Sequence, residues 1–512
     1  MARARALMFL GTGSDVGKSV LAAAFCRILK NEGYRVSPFK AQNMALNSYI
    51  TPEGGEMGRA QVVQAEAAGL APHVDMNPIL LKPTSQMGSQ VIVLGKARGN
   101  FSAREYYDYK PELVSVVRDS FERLASQYDI IVMEGAGSAV ELNLKKHDLV
   151  NMSMADMADA RCILVGDIDR GGIFAALLGS FSLLESREQD RIAGFIVNKL
   201  RGDPRLFSDG VNIIESRSGK PVFGVVPYFD HIALPEEDSV ALRRRMEAAE
   251  RDGSGDALRI GVVRLPFVSN YTDFDCFEQE PGVRLTYFDK PARIFDFDAI
   301  IIPGSKNTIE DLAALSKTGM SDAILAYYKS GGTVVGLCGG YQMMGSVVRD
   351  PHGVESALEE TPGLGLLDME TEMYPEKVTS QVEASPIQET GLFGGCDGRF
   401  SGYEIHMGRS TSLGKALPLF RIMLRDGKPA DFPDGLAQPD GRAWGTYIHG
   451  IFDNDALRRK FLEDLAWRSG KGYAPAGDSS SYMQRKEEQF DLLAGFVRAH
   501  VDVGRILECL LK

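Results

Sequence analysis

The chain has 512 residues, of which 44% are hydrophobic and 25% are charged, and this ordinary globular composition excludes a disordered protein. Its length predicts two or three domains, and no stretch approaches the roughly 18 apolar residues that a membrane-spanning helix needs. The net charge of −12 argues against a nucleic-acid-binding protein, because such proteins present basic surfaces to phosphates.

Short apolar runs alternate with helical patterns through the first half of the chain. Runs that are apolar on both faces are typical of parallel strands covered by helices. Helical patterns lie between the runs, for example at 19–30, which Gly33 closes, and at 60–68. This alternation of strands and helices predicts an α/β layer fold. The runs predicted as strands are 6–10, 36–39, 91–94, 130–133, 162–165, 195–197 and 222–226.

The alternation of predicted strands and helices stops after residue 240. Residues 241–252 have the pattern of a charged surface helix, and residues 253–256 that of a flexible linker. A second α/β rhythm follows, with apolar runs at 260–265, 299–302 and 333–337, and the pattern after residue 455 is helical. We therefore predict two α/β domains, at 1–252 and 257–456, with a helical extension at 457–512.

The first predicted strand leads into a glycine-rich turn and then a helix, LMFLGTGSDVGKS at residues 7–19. This is the arrangement of a P-loop, whose backbone amides surround phosphates at a helix N-terminus. The lysine of such a loop neutralises the β- and γ-phosphates of ATP, and the hydroxyl after it binds Mg²⁺. The strict motif has glycine where Thr12 stands. The residues predicted to bind ATP here are Thr12, Gly13, Gly17, Lys18 and Ser19.

Other polar groups belong to the same predicted site. Glu134 ends an apolar strand at the sheet edge where α/β proteins bind ligands, so we predict that it binds Mg²⁺ beside Ser19. Glu56, in GGEMGRAQ, is a further metal candidate, although it could simply cap the helix that follows. Asn198 ends another strand, and its amide is suited to hydrogen bonds with adenine.

A nucleophile is predicted in the second half. Residues 333–342, TVVGLCGGYQ, deliver Cys338 from an apolar strand into a Gly-x-Cys-x-Gly turn, as in a nucleophile elbow. The start of a helix there favours the reactive thiolate. The amide of Gly339 is one predicted oxyanion donor, and the loop of Gly304 and Ser305 is predicted to supply another.

A cysteine nucleophile needs a base, and the chain has seven histidines. His449 follows the strand-like run AWGTYI and is the preferred candidate. His406, in SGYEIHMGR, is the alternative. The six cysteines are far apart and form no CxxC pair, which predicts a reducing, cytoplasmic compartment without disulfides or zinc.

These motifs together resemble a known family. The first half is similar to dethiobiotin synthetase, through the DVGKS loop, the lysine of PFK and the EGAG turn. The second half resembles the class I glutamine amidotransferases. Over nearly the whole chain, specific runs resemble the cobyric acid synthase family: SDVGKS, PFKAQNMALNS, EMGRAQ, MNPILLKP, GDIDRGGIFA, IIPGSKNT, LCGGYQMMG and GYEIHMGR.

The resemblance implies a reaction and its site residues. The reaction is amidation of the b, d, e and g carboxylates of adenosylcobyrinic acid a,c-diamide, through an acyl phosphate made from ATP and ammonia released at a cysteinyl thioester. The implied partners are small molecules, namely the corrinoid, glutamine and ATP with Mg²⁺, and a homo-oligomer is left open. The implied roles are nucleophile for Cys338, catalytic histidine for His449, P-loop pair for Lys18 and Ser19, phosphate contact for Lys40 and Mg²⁺ ligand for Glu134.

Some questions stay open at this level. Triad glutaminases carry a glutamate two residues after the histidine, but Ile451 stands there, so Glu404 and Asp453 are the candidates to orient His449. Two other functions remain alternatives: a cobyrinate a,c-diamide synthase, and a P-loop switch ATPase with a vestigial glutaminase module. The cations that could meet the corrinoid carboxylates are Lys82, Lys145, Lys146, Arg170 and Arg201.

Overall fold

The computed structural model describes residues 3–84, 88–235, 256–387, 392–396, 398–473 and 481–511. The chain divides into two compact units. The first comprises Met1–Met44, Met57–Pro235 and Arg485–Lys512, and the second comprises Ala45–Glu56 and Glu236–Gln484. Among the described residues, no helix combines the length and the apolar character that crossing a membrane requires.

The described strands, in chain order, are β1 (Arg5–Gly11), β2 (Val36–Phe39), β3 (Gln42–Met44), β4 (Ser48–Ile50), β5 (Glu56–Gly58), β6 (Ile79–Pro83), β7 (Gly88–Val93), β8 (Lys96–Ser102), β9 (Ile130–Glu134), β10 (Arg161–Asp167), β11 (Ile192–Leu200), β12 (Val222–Pro227), β13 (Leu258–Val263), β14 (Val268–Ser269), β15 (Val283–Phe288), β16 (Ala299–Ile302), β17 (Gly304–Ser305), β18 (Thr333–Leu337), β19 (Val347–Arg349), β20 (Glu360–Pro362), β21 (Met369–Pro386), β22 (Phe400–Ser412), β23 (Leu417–Arg425), β24 (Lys428–Ala437), β25 (Ala443–Thr446) and β26 (Ile448–His449).

The described α-helices are α1 (Lys18–Asn31), α2 (Arg59–Ala67), α3 (Ala103–Ala125), α4 (Met152–Met157), α5 (Ile173–Leu183), α6 (Ser186–Arg191), α7 (Ser208–Ser218), α8 (Asp275–Glu278), α9 (Thr308–Thr318), α10 (Met320–Lys329), α11 (Gly339–Met343), α12 (Asp455–Ser469), α13 (Tyr482–His500) and α14 (Val503–Leu511).

The described part of the first unit is built on a six-stranded parallel sheet in the order β12-β11-β10-β1-β9-β2. Its strands are apolar and buried, as expected for a parallel sheet with helices on its faces. The predicted α/β fold is therefore confirmed. The run at 91–94 differs from its prediction: it overlaps β7, which pairs antiparallel with β6 and β8 in a separate small sheet. Apolar character predicts a buried strand but not its partner.

The C-terminal helices complete the first unit. Phe490, Leu493 and Val497 of α13 are buried in the same core as Phe25 of α1. Arg27 of α1 also forms an ion pair with Asp491, at 2.7 Å. The predicted helical extension at 457–512 is divided in the structure, because α12 belongs to the second unit and the chain from Arg485 belongs to the first. An amphipathic pattern predicts that a helix packs on a core, but it does not identify which core.

The second unit is an α/β domain with a mixed sheet. Its parallel half runs β15-β13-β16-β18-β25, and the antiparallel strands β24, β23 and β21 follow, with β22 pairing β21 and β26. The runs predicted at 260–265, 299–302 and 333–337 correspond to β13, β16 and β18. The predicted surface helix at 241–252 and most of the predicted linker at 253–256 lie outside the described residues.

Residues 45–56 are the second departure from the predicted boundaries. They lie in the sequence of the predicted nucleotide domain but belong to the second unit. Strand β4 of this segment pairs with β5, and Asn47, Ser48 and Glu56 are at most 1% exposed. We call residues 45–56 the inserted segment. No local pattern in the sequence predicted its place, because its packing partners are more than 200 residues away.

Candidate active sites

The phosphate-binding loop follows β1 and ends where α1 begins. Gly17 has φ of 98°, a left-handed conformation that favours glycine, and Lys18 is the first residue of α1. Lys18 is 6% exposed, and its ammonium donates to the carbonyl oxygens of Gly13, at 2.8 Å, and Gly137, at 3.0 Å. The charge is therefore held inside the loop, at the helix N-terminus where phosphates bind.

Glu134 is the centre of a buried polar cluster beside this loop. One of its oxygens accepts hydrogen bonds from the Ser19 hydroxyl, at 2.7 Å, and the Lys40 ammonium, at 2.9 Å. The other accepts from the Gln64 amide, at 2.7 Å. Burial raises the pKa of Glu134, but the charge and hydrogen bond of Lys40 and the hydrogen bond of Ser19 outweigh it, so the pKa is lowered. The carboxylate therefore stays ionised.

This cluster fits the chemistry of a magnesium–nucleotide site. A hydroxyl and a carboxylate oxygen are hard ligands, and Mg²⁺ is commonly held by one or two protein oxygens together with phosphates and water. Ser19 and Glu134 supply such a pair, with the cations Lys18 and Lys40 beside them. Among the described residues, no group of three or more histidine, cysteine or carboxylate side chains forms a larger metal cluster.

Asn198 and Glu56, which were predicted to bind ATP and its metal, have protein partners in the structure. The Asn198 amide donates to the carbonyl of Val16, at 2.8 Å, and so supports the loop directly. Glu56 belongs to the second unit, where it forms an ion pair with Lys377, at 2.6 Å, and accepts from the Ser48 hydroxyl, at 2.8 Å. The adenine contact of Asn198 and the metal contact of Glu56 stay predictions.

The cations predicted to meet the corrinoid are mostly at the surface of the first unit. Lys82 is an exception because it is 3% exposed in β6, while Lys146 is exposed. The other three form partly exposed ion pairs: Lys145 with Glu185 at 2.8 Å, Arg170 with Asp15 at 3.2 Å and Arg201 with Asp169 at 2.7 Å.

Cys338 lies on a strained turn between β18 and α11. Its φ of 50° and ψ of −109° are rare for a residue with a side chain, and such strain is typical of a nucleophile elbow. The turn depends on its glycines: a Cβ on Gly340 would lie 1.9 Å from the carbonyl oxygen of Ile302. Cys338 is 6% exposed, and its Sγ donates to the carbonyl of Ile405 at 3.3 Å.

His449, on β26, is fully buried, and Cys338 is among the groups that shift its pKa. Its Nδ1 donates to Oδ2 of Asp273, at 2.6 Å, and the other oxygen of Asp273 accepts from the backbone of Gly450, at 3.0 Å. Burial lowers the pKa of His449, but the charges of Asp273 and Cys338 outweigh it and raise the pKa to about 10. Cys338, His449 and Asp273 have the residue types of a catalytic triad, with the carboxylate hydrogen-bonded to the histidine.

The structure shows other partners for Glu404, one of the two carboxylates considered for orienting the imidazole of His449. Glu404 forms an ion pair with Arg425, at 2.6 Å, and lies 3.7 Å from Nε2 of His406. Asp273, rather than Glu404 or Asp453, hydrogen-bonds His449. His406, the alternative base, has Nδ1 2.7 Å from the carbonyl of Gly408.

The predicted oxyanion donors lie together. A Cβ on Gly339 would be 2.7 Å from the backbone nitrogen of Ser305, which brings the turn after Cys338 against the loop after β16. Gly304 faces the base, because a Cβ on it would be 3.6 Å from Cε1 of His449. Two backbone segments therefore meet beside the nucleophile, as an oxyanion hole requires.

Asp273 is the functional residue that sequence reasoning missed. It lies in VSNYTDFDCF, a polar stretch that follows the first strand of the second unit. Parallel strands end at one sheet edge, so polar groups after β13 are expected near those after β18 and β25. The position of Asp273 shortly after β13 is therefore the feature of the sequence that indicated a place near His449.

Comparisons with known proteins match a known domain family to each half of the chain. The model of the CobQ/CobB/MinD/ParA nucleotide binding domain matches residues 7–241, and that of the CobB/CobQ-like glutamine amidotransferase domain matches residues 259–457. The cobyric acid synthase of Syntrophobacter fumaroxidans is 72% identical over 504 residues, which cover 98% of each chain. Those of Desulfitobacterium hafniense (strain DSM 10664 / DCB-2) and Salmonella typhimurium are 49% and 48% identical, covering 98% of this chain and 96% and 97% of theirs.

Proposed function

The chain belongs to the cobyric acid synthase family of glutamine-dependent amidating enzymes in cobalamin biosynthesis, and from this premise we propose its substrate and chemical route. The substrate is adenosylcobyrinic acid a,c-diamide, amidated at its b, d, e and g carboxylates. The observation that carries the route is the buried His449–Asp273 hydrogen bond beside Cys338, which lies on a strained turn. It supports ammonia release from glutamine at the second unit.

In the glutaminase step, the Cys338 thiolate attacks the carboxamide carbon of glutamine. The oxyanion that forms accepts hydrogen bonds from the backbone beside Gly339 and Gly304. The His449 imidazolium gives its proton to the leaving nitrogen, so ammonia departs and a glutamyl thioester remains. Water, deprotonated by His449, then hydrolyses the thioester to glutamate and regenerates the thiol.

In the synthetase step, a corrinoid carboxylate attacks the γ-phosphorus of ATP, which gives an acyl phosphate and ADP. Ammonia then attacks the acyl carbon, the amide forms and phosphate leaves. Lys18 and Lys40 neutralise the phosphate charge that develops. When bound, Mg²⁺ would add further neutralisation, and Ser19 and Glu134 would hold it.

The corrinoid is multiply charged, so its carboxylates need cations at the first unit. We assign this role to the lysines and arginines already described there, with Lys82 as the buried member. Exposed ion pairs are worth at most about 1 kcal/mol, so the paired cations can exchange a protein carboxylate for a substrate carboxylate. We place the enzyme in the cytoplasm, because its cysteine spacing indicates no disulfide framework.

The first experiment separates the two half-reactions. Adenosylcobyrinic acid a,c-diamide is incubated with enzyme and MgATP, with glutamine or with high ammonium at alkaline pH, and products are followed by mass spectrometry. Cys338→Ser should lose the glutamine-dependent amidations but keep the ammonium-dependent ones, because only the nitrogen source is lost. Cys509→Ser is the matched control and should keep both. A folded Cys338→Ser protein without ammonium-dependent products would contradict the assignment.

Lys18→Ala should affect the other, ATP-dependent half-reaction. Lys96→Ala, at an exposed position, is its control. Removing a positioned charge from a phosphoryl-transfer site lowers the rate by roughly a hundredfold or more. Ammonium cannot rescue this loss, because the missing species is the acyl phosphate. Amidation near the normal rate with ammonium would show that residues 11–19 are not the catalytic ATP site.

A further inference from the structure

The inserted segment, residues 45–56, is packed into the second unit as tightly as that unit's own core. Asn47, Ser48, Ile50 and Thr51 are fully buried. A polar backbone in such a position must find hydrogen-bond partners. Among its partners are Asn270 and Tyr403, which both contact His449.

The first set of contacts connects the inserted segment to His449. The Ser48 backbone donates to Oδ1 of Asn270, at 3.2 Å, and Nδ2 of the same Asn270 lies 3.4 Å from Nε2 of His449. One side chain therefore joins the segment to Nε2 of His449. Asn47 strengthens the arrangement, because its Oδ1 accepts from the backbone of Tyr271, at 3.2 Å. Asn270 has φ of 52°, so these hydrogen bonds hold it in a left-handed conformation.

The second set of contacts leads to the base and the nucleophile through β22. Ile50 packs in one apolar cluster with Tyr403 and Ile405. The Tyr403 ring stacks on the His449 imidazole, at 5.1 Å between centroids and 16° between planes, and its hydroxyl donates to the Ser48 carbonyl at 3.4 Å. The Ile405 carbonyl accepts the hydrogen bond of the Cys338 thiol.

The segment is also anchored at its far end. Glu56 bridges Ser48 within the segment to Lys377 on β21, and both contacts are buried. The Thr379 hydroxyl, on the same strand, donates to the Gly54 carbonyl at 3.1 Å. Removing a partner from a buried hydrogen-bonded charge is strongly destabilising locally, so this anchor fixes the segment against β21.

We propose that the inserted segment is a positioning element of the glutaminase: glutamine hydrolysis by Cys338 and His449 depends on Asn47 and Ser48, although neither touches glutamine. The inference rests on the proposed function, because it takes Cys338 and His449 as nucleophile and base. Asn270 and Tyr403 are the positioning residues through which the segment acts. Displacing a catalytic group by as little as about 1 Å lowers a rate by roughly a hundredfold, which sets the scale of the effect.

The test is Asn47→Ala in the full-length enzyme. It removes the acceptor for the Tyr271 backbone, so kcat for glutamate release should fall by roughly a hundredfold while ammonium-dependent amidation is kept. Asn47→Asp retains an acceptor oxygen and should restore most of the kcat. Pro52→Ala, an exposed position in the same segment, is the matched control and should leave both activities unchanged.

The outcomes are distinct. A folded Asn47→Ala enzyme with normal kcat for glutamate release would overturn the inference, and so would a loss that Asn47→Asp does not repair. If Asn47→Ala does not fold, Ser48→Ala decides, because it removes the hydroxyl contact with Glu56 and should lower kcat about tenfold. A normal Ser48→Ala enzyme would then overturn it. Failure of the proposed function looks different, because the unaltered enzyme would form no amide from ammonium.

Discussion

At the scale of single residues, the charge of Asp273 determines the protonation of His449. Burial alone would make the imidazole neutral, since a charged ring is poorly solvated in the interior. The Asp273 carboxylate and the charge of Cys338 reverse this and raise the pKa of His449 to about 10. Asp273 therefore favours the imidazolium form of His449, which carries the proton that the leaving ammonia needs.

Asp273→Asn should expose this dependence. The amide can still contact Nδ1, but the charge that raised the pKa of His449 is gone, so the imidazolium is lost at lower pH than before. We expect kcat for glutamate release to fall by about 10³–10⁴-fold. The alkaline limb of the pH–rate profile should also move to lower pH. Asp453→Asn is the control, and an alkaline limb that Asp273→Asn leaves in place would contradict this role.

The residues that sequence predicted best are those whose chemistry is local. Lys18, Ser19 and Cys338 each stand in a strand–turn–helix pattern that reveals position and chemistry together. Asp273 carries no such pattern, and it lies 176 residues from the histidine that it contacts. Pairing over that distance arises only when strands end at the same sheet edge, which a one-dimensional pattern does not specify.

At the scale of elements, the same limit applies to packing. The strand positions of both sheets and the amphipathic C-terminal pattern were predictable, because periodicity reports which face of an element is buried. The surface that covers that face was not predictable. Helices α13 and α14 complete the core of the first unit, although more than 250 residues of sequence separate them from its last strand, β12.

A core substitution in α13 tests this assignment. Phe490 is fully buried against the first unit, and Phe→Ala changes in a core destabilise by about 3–5 kcal/mol. Phe490→Ala should therefore lower the unfolding temperature of the first unit, and on heating it should abolish ammonium-dependent amidation before glutamate release. Leu492→Ala, 52% exposed on the same helix, is the control. Loss of glutamate release before amidation would place α13 with the other unit.

At the scale of the whole molecule, the chain passes between the two units at both ends of the inserted segment, after Pro235 and again between Gln484 and Arg485. The segment leaves the first unit after Met44 and returns to it at Met57. It is flanked by Lys40 and Gln64, which both hydrogen-bond Glu134 in the predicted nucleotide site. The residues that flank the segment on both sides are thus hydrogen-bonded to the carboxylate that we predict to bind Mg²⁺.

This connectivity predicts that nucleotide changes glutamine hydrolysis. Phosphates and their counter-ion compete for Lys40 and Glu134, so the hydrogen bonds that hold Lys40 and Gln64 should rearrange when a non-hydrolysable ATP analogue binds. Backbone amides of residues 45–56 should then change their hydrogen-exchange rate, and kcat for glutamate release should change with them. Asn47→Ala should still bind the analogue but lose the response of glutamate release, because the segment no longer holds Tyr271. Equal exchange and equal kcat with and without saturating analogue would show that the segment supports His449 without transmitting the state of the nucleotide site.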